Sequence, residues 1–224
     1  MTPTDPRTAA TRRALLDAAT DALREVGYAG ASAREIARRA GCNQALVFYH
    51  FDSVNGLLLA ALDDVSERRL AAYRDMLARA GTLRELVDAA ERVLAQDLAA
   101  GHVAVLAELL VAAASVPGLD VEVEARLAPW RALAQDAVAR AFELVPLAGV
   151  VAADEAAHVV VATLLGLELL AGVGDGRATT DRLFDRARTV AALLEPVAGA
   201  ADADRAPRPG TTEARTPGPG SVDA

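Results

Sequence analysis

The residues best equipped for chemistry in this 224-residue chain sit together in "GCNQALVFYHF", Gly41 to Phe51, where Phe48, Tyr49, His50 and Phe51 are consecutive. Aromatics make up only 4% of the chain, so the cluster calls for a reason. It is not a catalytic set. The sequence offers no nucleophile paired with a base and no phosphate-binding loop, and His50, His102 and His158 lie far apart without metal-ligand spacing. No catalytic residue, metal or cofactor is expected, and the chain reads as a non-enzyme. Cys42 is the single cysteine, which excludes an intrachain disulfide and fits a reducing, cytoplasmic setting.

A better use for the cluster comes from the residues before it. "REIARRAGCNQALVFYHF" has the form of two short helices joined by a tight turn, a helix-turn-helix. Ala37 is small where the helices must cross, Gly41 suits the left-handed turn, and Ile36, Ala40 and Val47 face a small core. The rest of the second helix is then free to face a DNA groove.

The longer stretch "ASAREIARRAGCNQALVFYHFDSVNGLLLAAL" resembles the DNA-binding domain of the tetracycline-repressor (TetR) family, with its pattern "T-x-x-x-I-A-x-x-A-G-V-S-x-x-x-x-Y-x-H-F-x-x-K-x-x-L". The resemblance covers about the first quarter of the chain. It implies that Ser32 caps the second helix and touches a phosphate, and that Arg34 reaches a base or phosphate. Gln44, Ala45 and Leu46 would open the recognition helix, Gln44 reading adenine and Ala45 or Leu46 a thymine methyl. Phe48, Tyr49 and His50 would lie along the DNA backbone, while Phe51 packs in the core. Two positions depart from the pattern. Phe48 replaces a tyrosine and Val54 a lysine, each dropping a phosphate contact, and Arg12, Arg13, Arg38 and Arg39 are candidates to make good the loss.

The elements that must position these residues read as helices. Ala, Leu and Val dominate the apolar content, which favours an all-α fold. Gly, Pro and capping signals divide the chain into about nine helices. They run from Ala9 to Val26, from the Ser32/Glu35 capping box to Arg39, and from Gln44, capped by Asn43, to His50. A long fourth follows from Ser53 to Arg79, then Thr82 to Ala100, a sixth ending at Ser115, Val121 to Val145 around Pro129, Ala153 to Val173, and Thr180 to Glu195. Residues 1–8 and the Pro- and Gly-rich 199–224 read as tails, 9–52 as the reader and 53–198 as a helical body for effector binding and dimerisation.

Charge divides along the same line. Residues 1–51 carry seven Arg against five acidic residues, whereas the remainder carries sixteen against twenty-six, and there is no lysine. The start "MTPTDPRTAATRR" lacks the order of a signal peptide, and the apolar run Ala156 to Gly174 is interrupted by His158 and Glu168, so a buried or interface helix is expected and no membrane partner.

By the resemblance, the partners are a palindromic double-stranded DNA operator and a second copy of the chain, paired through residues 153–173 and 180–195. An unidentified small molecule would bind among helices four to seven, with Tyr73, Met76, His102, Leu106, Glu108, Arg126, Trp130 and Phe142 as candidate lining residues. The function expected is a transcriptional regulator, a repressor released by its effector. The alternative is a protein-interaction module with a degenerate helix-turn-helix.

Overall fold

The computed structural model describes residues 6–100, 102–145 and 151–205. Among these, nine helices and no strand are present: α1 (Pro6–Gly30), α2 (Ala33–Arg39), α3 (Ala45–Phe51), α4 (Val54–Ala78), α5 (Leu83–Ala100), α6 (His102–Ala113), α7 (Leu119–Leu144), α8 (Ala153–Leu170) and α9 (Gly176–Arg205). Of the expected tails 1–8 and 199–224, residues 1–5 and 206–224 lie outside the described residues, as does the separator Gly101, whereas 6–8 and 199–205 are helical.

α1 starts at Pro6, where a fixed φ suits a first helical turn, earlier than the apolar periodicity indicates. Gly27 interrupts it with φ 69° and ψ 179°, and one more turn follows to Gly30. α9 likewise runs past Glu195 to Arg205. Pro129 lies within a continuous α7 that opens at Leu119 after Gly118, so the alternating "LDVEVEARL" forms helical turns, led by Asp120 and Glu122 at the positive end of the dipole.

Capping explains the short elements. Ser32 Oγ accepts from the Glu35 amide at 3.2 Å, but the expected reciprocal bond does not form. The Ser32 amide donates to Gly30 O at 2.8 Å, and the Glu35 carboxylate turns to Arg38 and Arg39 instead. α2 ends in a Schellman turn: Gly41 adopts φ +66° and the Cys42 amide donates to Ala37 O at 3.0 Å. Asn43 Oδ1 accepts from the Ala45 amide at 2.9 Å, so α3 begins one residue after the expected Gln44. Ser53 caps α4 through the Gly56 amide at 2.9 Å.

One apolar cluster joins α1 to α4 with α6 and the start of α7. It holds Leu15, Leu23, Ile36, Ala37, Val47, Leu57, Leu58, Val105, Leu109 and Val123, and Phe51 at its edge. Val47 and Phe51 thereby fasten α3 from one side, each burial contributing about 1.5–3 kcal/mol. A second group around Tyr73 and Leu133 and a third around Val138 and Ala157 hold α4, α7 and α8 together.

Candidate nucleic-acid interface and internal cavity

Because α3 is barely two turns long, anchoring Val47 and Phe51 decides what faces outward. Gln44, Ala45, Phe48 and Tyr49 are exposed, Phe48 by 49% and Tyr49 by 75%. Leu46, expected to face a base, is partly buried against the apolar cluster. His50 is half-buried, its ring 4.9 Å from that of Tyr49 in an edge arrangement. Val54, where the pattern has lysine, packs on the same cluster, so its position serves the α3–α4 junction.

The cations near α3 differ in what holds them. Arg38 and Arg39 both bind the Glu35 carboxylate at 2.7 Å, and Arg39 also binds Glu25 at 2.7 Å. The two guanidiniums pull the half-buried Glu35 carboxyl down to about 2. Arg13 is tied to Asp17 and to Asp64, and Arg12 lies 5.0 Å over the Phe51 ring. Arg34 is exposed on the first turn of α2, and no ion pair or hydrogen bond ties it among the described residues. Ser32 Oγ, occupied as an acceptor by the Glu35 amide, keeps its hydroxyl proton to donate outward.

A cavity of about 330 Å³ opens among α4 to α8, lined chiefly by Leu, Val and Ala side chains. Of the expected lining residues, Leu106, Arg126 and Trp130 border it. Tyr73 stands behind the wall, its hydroxyl donating to buried Asp97 and its ring edge-on to Trp130. Met76 is absent from the lining, and Phe142 packs beside Val138 and Ala157 instead. Glu108 is turned away from the cavity: its Oε2 accepts from the Tyr28 amide at 2.8 Å. The His102 side chain lies outside the described residues.

The polar groups at the cavity are Ser66, Arg69, Asp97, Arg126, Trp130 and Glu168. Arg69 pairs with Asp97 and lies 4.7 Å over the Trp130 ring. Trp130 Nε1 donates to Ser66 Oγ at 3.4 Å. Arg126 is held by Glu122 at 2.8 Å and stands 3.0 Å from Asp63, a close ion pair without an aligned Nε–H bond. Arg69 and Asp97 are not legible in the sequence as site residues, since an arginine among several on α4 and an aspartate on amphipathic α5 look like solvated positions. Glu168 stands out as a lone carboxylate in an apolar run; burial pushes it up to about 7, with Arg69 opposing.

The fold and the exposed α3 face define an all-helical helix-turn-helix protein with a larger helical body. Residues 15–61 match the model of bacterial regulatory proteins of the tetR family. An HTH-type transcriptional repressor of Mycobacterium tuberculosis, Rv3405c, is 37% identical over 129 residues, covering 54% of this chain and 67% of that protein. An uncharacterised HTH-type regulator of the same species, Rv2912c, is 36% identical over 124 residues, covering 55% of this chain and 63% of its own length. The chain thus spans just under two thirds of that relative. Among solved structures, Salmonella enterica GusR superposes with a TM-score of 0.64 at 22% identity, over 88% of this chain and 100% of that one. The transcriptional regulator FadR of Bacillus subtilis, solved in complex with stearoyl-CoA, gives 0.62 at 13% identity over 81% and 96%. This chain belongs to the TetR family.

Proposed function

We propose that this protein is a sequence-specific DNA-binding transcriptional regulator, a repressor that leaves its operator when a small molecule fills the cavity. Residues 9–52 act as the reader and 53–198 as the effector-binding and dimerisation body. The observation that carries the reading is the division of α3: Val47 and Phe51 anchor one side, and Gln44, Ala45, Phe48 and Tyr49 are left exposed, as is the untethered Arg34 on α2. Gln44 offers the bidentate amide that matches adenine, Arg34 the fork that matches guanine or phosphate, and Tyr49, Ser32 and His50 donors for the backbone. Phe48 contributes apolar contact to sugars.

A single short reader gains affinity by pairing across a two-fold axis. Exposed Val159, Leu169 and Leu170 on α8 and Leu183, Val190 and Leu193 on α9 support a homodimer through these helices. The assembly works in the cytoplasm, on a palindromic operator.

Footprinting on the intergenic DNA beside its own gene tests the reading. Arg34→Ala and Gln44→Ala should each weaken operator binding by about 1–3 kcal/mol and relax one base position, with thermal stability unchanged. Unaltered sequence preference in both variants would overturn the assignment.

A further inference from the structure

Among the described residues, each charged group bordering the cavity sits in a close ion pair except one. Arg69 from α4 is neutralised by Asp97 from α5, and Arg126 from α7 by Glu122 and Asp63. An anionic ligand would therefore meet two guanidiniums already paired. Glu168, from α8, faces the same space with no hydrogen bond or ion pair among the described residues. The wall is chiefly Leu, Val and Ala, which can neither donate to a carboxylate nor solvate it, and the Arg69 guanidinium acts on Glu168 through its charge, outside ion-pair distance.

We infer that the cavity takes a lipophilic ligand bearing a single positive charge, such as a protonated amine, with Glu168 as its counter-ion. The inference rests on the reading of this cavity as the effector site. The apolar walls supply affinity without direction, and the one unpaired carboxylate supplies orientation. Its desolvation favours the protonated acid in the empty cavity. A bound ammonium would reverse this, forming a charge-assisted hydrogen bond to the carboxylate while the acid proton passes to solvent. Arg69 opposes the incoming cation, but its charge is already offset by Asp97 and spread over the Trp130 ring. Arg69 Nε, buried without an acceptor, is the feature an anion would exploit, and the test includes that arm.

Calorimetry on the full chain with three probes sharing one skeleton, naphthylmethylamine, naphthylmethanol and naphthoate, decides the matter. The amine should bind at least about tenfold tighter than the naphthoate, and Glu168→Gln should erase that preference while leaving the naphthylmethanol affinity in place. The comparison of amine with naphthoate on the unaltered protein does not depend on the variant folding. Equal or tighter binding of the naphthoate, or no binding of any probe, overturns the inference. A gel shift on the operator, run in parallel without probe, reports on the regulator reading alone: retained DNA binding with a failed amine preference removes the ligand class and leaves the regulator.

Discussion

Glu108 Oε2 accepts a hydrogen bond from the Tyr28 amide at 2.8 Å, fastening the middle of α6 to the last turn of α1. From there Tyr28 OH donates to Asn55 Oδ1 at 2.7 Å, at the start of α4. One residue earlier, Gly27 holds φ +69°, and a Cβ there would stand 2.8 Å from Glu108 Oε2. A cavity-lining helix, the base of the reader and the helix that follows it thus meet at one polar junction.

Removing the acceptor leaves a part-buried amide unsatisfied. Glu108→Ala should cost about 1–3 kcal/mol, while Glu108→Gln, which keeps an acceptor, costs less. Gly27→Ala should cost about 1–3 kcal/mol through strain and the clash with the carboxylate. Thermal melts check both. The double variant should lose less than the sum of the singles, because the carboxylate that the new Cβ meets is gone.

Val54 stands where the family pattern places a lysine, on the first turn of α4. Val54→Lys should tighten operator binding and steepen the dependence of log K on log salt by about 0.9 for each additional phosphate neutralised. The cost is a little packing, since Val54 rests against the apolar cluster. A salt titration of operator affinity measures both the offset and the slope.

The exposed apolar residues of α8 and α9 give the proposed dimer a direct test. Leu170→Glu and Leu193→Glu place charge on side chains exposed by 59% and 69% in the single chain. Each should convert a dimer to a monomer in light scattering, with helicity retained and operator affinity reduced. A monomeric parent at micromolar concentration would contradict the pairing.

Glu168 sets a pH dependence whose sign follows from its environment. Its carboxyl is raised from 4.5 to about 7 in the fold, by burial first and against the pull of Arg69. Below the unfolded value both states carry the proton and the site costs nothing. As pH rises from 4.5 through about 7, the unfolded chain ionises more readily than the fold, so stability falls. The loss should reach about 2 kcal/mol above that window, discounted for partial exposure. Glu168→Gln should flatten that limb of the unfolding profile, measured by denaturant titration across the range.

The reader is legible in sequence because its constraints are local. Gly41 must turn, Ser32 must cap and Val47 must be apolar, and each requirement falls within a few positions of the next. The exceptions are instructive. The spacing of Ser32 and Glu35 implies a reciprocal capping box, but two arginines within one helical turn attract Glu35 more strongly than a neighbouring amide. The family pattern puts Leu46 toward the groove, and in the fold it also packs partly against the apolar cluster, a contact that spacing does not reveal. The cavity is harder to read, because its polar members come together from four helices. Arg69 and Asp97 are a pair only in space, and Glu108, a lone carboxylate in an apolar run like Glu168, serves a backbone amide 80 residues away. Periodicity tells which face of a helix is apolar and is silent on which neighbour covers it.

α8 buries only Ala157 fully within the single chain. One side borders the cavity through Val160, Val161, Leu164, Leu165 and Glu168, and the other leaves Val159, Leu169 and Leu170 uncovered. In the proposed dimer it would be a party wall, with a guest on one side and a twin on the other. A side chain displaced by a guest has only the twin to push against, so two chambers built on such walls would not fill independently. Occupancy of the first would be felt in the second, and the response to rising ligand would be steeper or shallower than that of two separate proteins.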